Sequence, residues 1–228
     1  GALHGFSYWS RGALMAGLLL LGAGGHSRVV AETVLATGRF SSIAFLDDRC
    51  SGPEQLSDQL GWPVIGPLAA AFDPQIRQQF PAALVAIGNA TVRLQWLPRL
   101  AAVGYELPVV MHPTAWPSPS AQIGVGSVVF AQAAIQAQAV IGSGAILNTG
   151  CSVDHDAQLG NGVHICPGAH LAGEVQVGER SWIGTGASVI QQIRIGADVT
   201  VGAGAAVVRD LPDGVTAMGV PARVLPTA

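Results

Sequence analysis

The residue types best suited to chemistry are concentrated between positions 148 and 164. His155 is followed directly by Asp156, and a carboxylate beside an imidazole can orient the ring and keep it basic enough to accept a proton near neutral pH. A second histidine, His164, follows nine residues later, and Asn148 contributes an amide upstream. A general base contributes about 10²- to 10⁴-fold to a rate. The competing interpretation is a solvated surface whose polar side chains have no catalytic role.

These residues interrupt a repeat with a period of six residues. A compact residue, most often alanine, precedes each large aliphatic residue by two positions in most of the units. With a glycine every eighteen residues from Gly124 to Gly196, the pattern predicts three faces per coil and five coils. It therefore predicts a parallel β-helix with an aliphatic interior, in which one corner needs the permissive backbone of glycine. The fifteen large aliphatics are Ile123, Val129, Ile135, Ile141, Leu147, Val153, Leu159, Ile165, Leu171, Val177, Ile183, Val189, Ile195, Val201 and Val207.

The same repeat predicts where the two histidines lie. His155 comes two residues after the inward Val153, so we expect it at a corner, whereas His164 immediately precedes Ile165 and points outward from a face. Their separation of nine residues is half of an eighteen-residue coil, which puts them on opposite sides of one prism. They could share a site only across an interface between subunits.

The chain before the repeat alternates apolar strands with helical segments, as is typical of an α/β unit with a parallel sheet. Between the first strand and the first helix lies the turn 22–27, whose backbone amides can hold phosphate oxygens at a helix N-terminus. Asp47 and Asp48 end the second strand, about where an acid reaches a ribose or a base. The unit has about 95 residues, too few for a full dinucleotide fold, which favours a nucleotide-sugar over NAD. The predicted strands are 17–21, 43–47, 82–87 and 107–111, and the predicted helices are 27–37, with Ser27 as N-cap, and 90–103, interrupted by Pro98.

Four segments follow from this pattern. We assign 1–14 to a tag or disordered tail, 15–112 to a Rossmann-like nucleotide-sugar-binding domain, 113–210 to the β-helix and 211–228 to a closing segment. The six-residue period breaks at Asp213. Three prolines at positions 113, 117 and 119 are assigned to the linker between the two domains.

Composition excludes several classes of function. Of 228 residues only 11% are charged, the basic residues are all arginine, and the net charge is −3, so nucleic acid is an unexpected partner. The longest apolar stretch, 13–21, is too short to span a membrane, and we expect a soluble, cytoplasmic protein. Cys50, Cys151 and Cys166 show no CxxC spacing, so neither a disulfide framework nor a zinc site is expected.

Several motifs together resemble one family, the nucleotide-sugar N-acetyltransferases and sialic acid O-acetyltransferases. The motifs are Asn148-Thr149-Gly150, Val153-Asp154-His155-Asp156, His164, Leu171-Ala172-Gly173, the turn 22–26, Asp47-Asp48 and Gly219-Val220-Pro221-Ala222. The resemblance implies a left-handed β-helix, a homotrimer with sites between subunits, and acetyl-CoA as co-substrate. It also implies transfer to the 4-amino group of a nucleotide-linked 4-amino-4,6-dideoxyhexose, UDP being favoured over GDP, for bacterial surface glycans.

The resemblance further implies a role for each matching residue. His155 is the general base and Asp156, where some members have glutamate, orients it. His164 lines the acetyl group's site, the Gly173 amide donates to the thioester oxyanion, and no metal is expected. Gly184, Ala187 and Ala203 run beside the coenzyme A, while Gly24, Gly25, His26, Asp47, Asp48 and Asn148 bind the substrate.

Three alternatives stay open on the sequence. The acceptor could be the hydroxyl of a sialic acid, on the same fold. A metal-dependent hydratase resembling the γ-class carbonic anhydrases would use histidines between subunits, but His164 and His170 are six apart rather than five, and no third ligand matches. A non-enzymatic trimeric scaffold is the third. We expect direct transfer rather than a cysteine intermediate, because Cys151 points inward and Cys166 lacks a neighbouring base.

Overall fold

The computed structural model describes residues 15–51 and 58–226. The segment 1–14, expected to be a tag or tail, lies outside the described residues. The chain divides between Met111 and His112 into two compact units. Among the described residues, no helix combines the length and the apolar character that crossing a membrane requires.

The N-terminal unit is built on a sheet of five strands in the order β3-β4-β2-β1-β5. All neighbours are parallel except β3 and β4, which are antiparallel. Leu18 to Leu21 are fully buried, as expected for a central parallel strand covered on both sides. The elements are β1 (Met15–Leu21), α1 (Gly25–Thr37), β2 (Phe40–Leu46), β3 (Asp58–Gln59), β4 (Trp62–Gly66), α2 (Pro74–Gln79), β5 (Ala82–Val85), α3 (Ala90–Ala102) and β6 (Val110–Met111), with short 3₁₀ helices at Asp48–Ser51 and Leu68–Phe72.

Some expected boundaries in this unit were wrong. Helix α1 begins at Gly25 with Gly24 as its N-cap, and the Ser27 hydroxyl instead donates to the Gly24 carbonyl at 2.6 Å from inside the first turn. Helix α3 continues through Pro98, because the buried Trp96, Leu97 and Leu100 hold both sides of the proline against the core. Strands β3 and β4 and helix α2 were missed, since β3 and α2 are short and β4 carries a proline and a glycine within five residues.

The C-terminal unit is a parallel β-helix whose two-residue strands form three faces. Between Trp116 and Val207, each strand pairs in register with the strand eighteen residues further along the chain. The first face has Trp116–Pro117, Ala134–Ile135, Ser152–Val153, His170–Leu171, Ser188–Val189 and Ala206–Val207. The second has Gln122–Ile123, Val140–Ile141, Gln158–Leu159, Gln176–Val177 and Arg194–Ile195. The third has Val128–Val129, Ile146–Leu147, His164–Ile165, Trp182–Ile183 and Thr200–Val201, followed by Thr216–Met218 and the antiparallel Arg223–Val224.

The interior of the prism matches the predicted repeat. Every predicted large aliphatic is buried except Ile123 in the first complete coil, which is half-buried. The compact residues two positions earlier, such as Ala139, Cys151 and Ala157, are buried as well. The predicted parallel β-helix is confirmed.

The column of glycines from Gly124 to Gly196 has a different cause from the one expected. None of these five glycines has a positive φ. A Cβ added at Gly160 would instead lie 2.7 Å from the Glu179 backbone nitrogen in the next coil. Positive φ occurs two residues later in each corner, and non-glycine residues such as Asp156 occupy it at several corners. Close approach of stacked coils, and not backbone conformation, therefore requires these glycines.

Both ends of the β-helix differ from expectation. Pro117, assigned to a linker, fills the inward position of the first strand, six residues before Ile123. A proline is tolerated there because the end strand pairs on one side only. The six-residue period breaks before Asp213. Leu211 bridges Ile195, and Ala217 pairs with Val201. Inward positions therefore again lie six residues apart, but two residues earlier in the chain than the original period predicts.

Candidate active site

His155 lies on the edge between the first and second faces, which we call the His155 edge (residues 154–157, 172–175 and 190–193). Its Nδ1 lies 2.8 Å from Asp156 Oδ2, and its backbone N–H donates to Asp154 Oδ1 at 2.7 Å. Asp156 has φ +59°, and this left-handed turn carries its carboxylate back to the preceding imidazole. An aspartate therefore reaches the ring even though its arm is shorter than that of glutamate.

The surroundings of His155 make it more basic. Its side chain is 54% exposed, so burial does little to disfavour the charged ring. The hydrogen bond to Asp156, followed by the negative charges of Asp154, Asp156 and Glu174, raises the pKa of His155 above its ordinary value. The imidazole is a stronger proton acceptor than a free histidine, and the edge around it carries negative charge.

Gly173 lies one coil further along, directly against the imidazole. A Cβ added at Gly173 would lie 2.5 Å from His155 Nε2, so any other residue there would displace the imidazole from this position. Within the described residues, neither Nε2 of His155 nor the backbone N–H of Gly173 makes a hydrogen bond. His155 is exposed and Gly173 is buried beside its ring, so a proton acceptor and a backbone donor without a partner lie next to each other. Such an arrangement can deprotonate a nucleophile and bind an oxyanion.

A second group of predicted residues lies on the edge between the third and first faces, which we call the Asn148 edge (residues 148–151, 166–169, 184–187 and 202–205). His164 lies on the third face, next to this edge. Asn148 Oδ1 accepts the Thr149 N–H at 2.8 Å, which orients the amide so that Nδ2 donates to His164 Nε2 at 3.2 Å. His164 therefore carries its proton on Nδ1. Trp182, one coil further along, meets the His164 ring edge-on with 6.2 Å between centroids.

The three small residues expected beside coenzyme A also lie on the Asn148 edge, in later coils. Ala203 is exposed at the corner, and Gly184 packs closely on the following coil, where a Cβ would lie 2.5 Å from the Val201 carbonyl oxygen. Ala187 is fully buried, so its methyl group points into the prism and only its backbone is available to a ligand.

A single chain therefore divides the predicted site between two edges. His155, Asp156 and Gly173 lie on one edge, and Asn148 with the three small residues lies on the other, beside His164. The strand that precedes His155 belongs to the first face, and the strand that contains His164 belongs to the third. One β-helix alone does not bring the two histidines together.

The N-terminal unit carries the predicted glycine turn at the carboxyl end of β1. Gly24 caps α1, and a Cβ added to it would meet nothing within 4 Å, so the turn is open on that side. Asp47 Oδ2 accepts the Ala23 N–H at 2.7 Å, and Asp48 Oδ1 accepts the Leu68 N–H at 2.9 Å. Both predicted carboxylates thus already have partners within the chain.

The charges at this turn are set by their neighbours. Hydrogen bonds from Arg49 lower the pKa of Asp47 to about 2, so Asp47 is ionised at all ordinary pH values. Burial, and secondarily the charge of Arg93, lower the pKa of His26 to about 4, so His26 is neutral. Two other residues near this turn, Arg93 and Gln59, were not predicted, since no motif marks either of them. The side-chain amide of Gln59 donates to the Ala23 carbonyl.

The two cysteines of the β-helix are poor nucleophiles. Cys151 and Cys166 are buried, and burial raises the pKa of each thiol to about 12. At neutral pH neither carries a significant thiolate population.

The histidines weighed for a metal site lie on different faces, His164 on the third and His170 on the first. His170 Nδ1 instead lies 2.9 Å from Ser152 Oγ. Among the described residues, no three side chains of the metal-binding types are grouped to hold an ion.

A hexapeptide-repeat β-helix that follows a small α/β unit and carries a histidine–carboxylate pair at one edge defines the class of hexapeptide-repeat acyltransferases. The family model described as the PglD N-terminal domain matches residues 17–100. The acetyltransferase domain of PglB from Neisseria gonorrhoeae FA1090 is 47% identical, with a TM-score of 0.87, over 92% of this chain and 100% of that chain. Its structure is also known in complex with acetyl coenzyme A.

Two further relatives carry substrate names. PerB from Caulobacter crescentus, in complex with CoA and GDP-perosamine, is 41% identical, with a TM-score of 0.84, over 93% of this chain and 98% of that chain. UDP-N-acetylbacillosamine N-acetyltransferase of Bacillus subtilis (strain 168) is 42% identical over 119 residues, 51% of this chain, and the match spans about half (52%) of that relative's length. The chain belongs to the hexapeptide-repeat acetyltransferase family with a PglD-type N-terminal domain, and its β-helix is of the left-handed class.

Proposed function

We propose that this protein transfers the acetyl group of acetyl-CoA to the 4-amino group of a nucleotide-linked 4-amino-4,6-dideoxyhexose. The observation that carries the proposal is the His155–Asp156 pair with the Gly173 N–H beside it. Solved relatives at 41–48% identity bind acetyl coenzyme A, or CoA with GDP-perosamine, which supports the choice of both substrates.

The proposed reaction is a direct transfer. The sugar amine attacks the thioester carbonyl while His155 Nε2 accepts the amine's proton, and the Gly173 N–H donates to the oxyanion that forms. The C–S bond then breaks, the amide is complete and coenzyme A leaves with the electron pair on sulfur. The high thiol pKa values of Cys151 and Cys166 support a route without an acyl-cysteine intermediate.

We assign the Asn148 edge and the adjoining His164 to acetyl-CoA and the reacting sugar. His164, held by Asn148, lines the acetyl group, and Asn148 also bonds the sugar. Gly184, Ala203 and the backbone of Ala187 lie along the pantetheine and adenine. Because His155 lies on the other edge, one complete site takes one edge from each of two subunits, and a closed ring of three provides three sites.

The N-terminal unit is proposed to hold the nucleotide. The amides of Gly24 and Gly25 at the start of α1, with His26, bind the diphosphate, and Asp47 and Asp48 lie on the nucleoside side. The relative from Bacillus subtilis is named for a UDP-sugar, which supports UDP, and the GDP-perosamine complex makes GDP the alternative.

The charge around His155 favours an amine over the hydroxyl of a sialic acid. Asp154, Asp156 and Glu174 surround the base with negative charge. A protonated sugar amine is attracted to this edge, whereas the carboxylate of a sialic acid is repelled. This charge pattern supports N-acetylation over O-acetylation.

The test is release of coenzyme A thiol from acetyl-CoA with UDP- and GDP-linked 4-amino-4,6-dideoxyhexoses and with free sialic acid. We expect turnover on one nucleotide amino sugar, lowered about 10²- to 10⁴-fold in His155→Ala. His170→Ala, an exposed histidine on the first face, is the matched control and should keep wild-type turnover. Turnover on sialic acid alone, or on no acceptor, would contradict the proposal.

A further inference from the structure

The His155 edge continues into one further coil at residues 208–210, and this coil carries an arginine. Val207 is the inward residue of the last strand of the first face, which pairs in register with the strand eighteen residues earlier. Arg209 follows Val207 by two residues, as His155 follows Val153. Stacked coils lie about 4.8 Å apart, so the backbone of Arg209 lies about 14 Å from that of His155 along the edge.

The guanidinium of Arg209 is exposed and is not paired within the chain. It makes no hydrogen bond or ion pair with any other residue that the structure describes. The neighbouring carboxylate, Asp210, instead accepts the backbone N–H of Arg194 at 2.8 Å. Arg180, on the edge between the second and third faces, is by contrast held by two carboxylates. Arg209 is therefore available to an anionic ligand.

The character of the His155 edge changes along its length. Around His155 the edge is negatively charged, whereas the coil at 190–193 carries no charged residue. Ile190 and Val208 are large apolar side chains that are exposed on this part of the edge. The order along the edge is therefore negative, apolar and then positive at Arg209. Acetyl-CoA has a matching order of parts, because a long uncharged pantetheine arm separates its thioester from its diphosphate.

The proposed position of the thioester determines which part of the cofactor reaches Arg209. The thioester carbonyl is placed at the Gly173 N–H, one coil beyond His155, and the small residues Gly184 and Ala203, assigned to the cofactor, lie in later coils. The sulfur and the pantetheine arm therefore extend toward Arg209, whose backbone lies about 10 Å beyond Gly173. With the reach of an arginine side chain added, this span suits an extended pantetheine arm that ends in a diphosphate.

We propose that Arg209 binds the diphosphate of acetyl-CoA, and that the subunit that supplies the base His155 also supplies this contact. The inference rests on the proposed acetyl transfer at a site shared by two subunits. The Asn148 edge of the neighbouring subunit then lies on the other side of the cofactor. A guanidinium can donate two parallel hydrogen bonds to phosphate oxygens, which suits this role.

The first experiment compares three acetyl donors: acetyl-CoA, acetyl-dephospho-CoA, which lacks only the 3′-phosphate, and acetyl-pantetheine, which lacks every phosphate. Arg209→Met should lower kcat/KM about tenfold with the first two donors, the size of one charge-assisted interaction, and leave it unchanged with acetyl-pantetheine. The KM for the nucleotide sugar should not change. Arg194→Met, an exposed arginine on the second face, is the matched control and should keep wild-type values with all three donors.

Two results would overturn the role of Arg209. A loss confined to acetyl-CoA would assign Arg209 to the 3′-phosphate, and an equal loss with all three donors would show a purely structural role. A wild type that acetylates no amino sugar would instead contradict the proposed function. Calorimetric Kd values of CoA and dephospho-CoA then still test Arg209, because they require no acceptor.

The second experiment asks which subunit supplies the contact. When His155→Ala and His164→Ala chains are refolded together, a restored site takes its His155 edge from the His164→Ala chain. Arg209→Met added to the His164→Ala chain should raise the KM for acetyl-CoA of the restored activity about tenfold, and added to the His155→Ala chain it should leave this KM unchanged. The reverse pattern, or no restored activity, would overturn the assignment of Arg209 to the subunit that supplies the base.

Discussion

At the scale of single residues, the chemistry depends on a contact between sequence neighbours. Adjacent residues usually point apart, but the left-handed backbone of Asp156 returns its carboxylate to within 2.8 Å of His155 Nδ1. The Nδ1 hydrogen bond leaves Nε2 as the basic nitrogen, on the side where Gly173 leaves room. Replacing Gly173 by any other residue would fill the space in which the reaction is proposed to occur.

The first prediction concerns the pH dependence of turnover. A base with a raised pKa is protonated and inactive below that pKa, so kcat/KM rises with pH along an acid limb that reports His155. Asp156→Asn removes the charge and the charged acceptor that raise this pKa. We expect the acid limb to move to lower pH and the plateau to fall about tenfold, because a weaker base accepts the proton less readily.

The measurement is a pH–rate profile of wild type and Asp156→Asn with the same acceptor. Titration of the substrate amine is common to both profiles, so the difference between them belongs to the enzyme. An acid limb at the same pH in both enzymes would show that Asp156 does not control the base.

At the scale of elements, the β-helix depends on space between stacked coils. The glycine column lets one backbone pass directly over the next, and Gly160 leaves 2.7 Å between its missing Cβ and the Glu179 nitrogen. The corner positions with positive φ are more permissive. Gln132 already occupies the position equivalent to Gly168, two coils earlier, with φ +60°.

The second prediction compares these two kinds of glycine. Gly160→Ala should lower the free energy of unfolding by about 3 kcal/mol, because the added methyl group meets backbone that cannot move aside. Gly168→Ala places a methyl group in open space at positive φ and should cost about 1 kcal/mol.

Thermal or urea unfolding at one fixed protein concentration measures both, since association would otherwise shift apparent stability. Equal losses in the two variants would show that the close approach of stacked coils does not account for the glycine column.

At the scale of the whole molecule, the separation of the two edges is the decisive feature. The base and the oxyanion donor lie on one edge, and the Asn148–His164 pair lies beside the other. A β-helix is too rigid to bring two of its edges together, so we propose that assembly of subunits completes the site.

The third prediction follows from the proposal that two subunits share each active site. We expect His155→Ala and His164→Ala subunits each to have strongly lowered activity alone, and to regain activity when they are unfolded together and refolded as a mixture. In a randomly mixed ring each site has both intact histidines about a quarter of the time, so up to about a quarter of wild-type turnover is expected. Refolding each variant separately and mixing afterwards is the control. No recovery in mixed assemblies would place the whole site within one subunit.

Much of this protein could be predicted from the sequence because a β-helix is encoded locally. Each inward position recurs every six residues, so fourteen of the fifteen predicted aliphatics are fully buried, and His155 and His164 fall at the corner and on the face that their spacing indicates. The N-terminal unit was harder to predict, since β4 and α2 are short and take their stability from tertiary packing rather than from a strong pattern of their own.

What the sequence by itself determined is the repeat, the alternation of strands and helices before it, and the pairing of His155 with a carboxylate, because these depend on residues near in the chain. The tertiary structure decided the contacts between coils and between strands. These include the close contact of Gly173 with His155, the close approach of coils at the glycine column, the inward position of Pro117, and the burial of Arg93. Such contacts join residues far apart in the chain, and their distances depend on how the backbones stack, which no local pattern records.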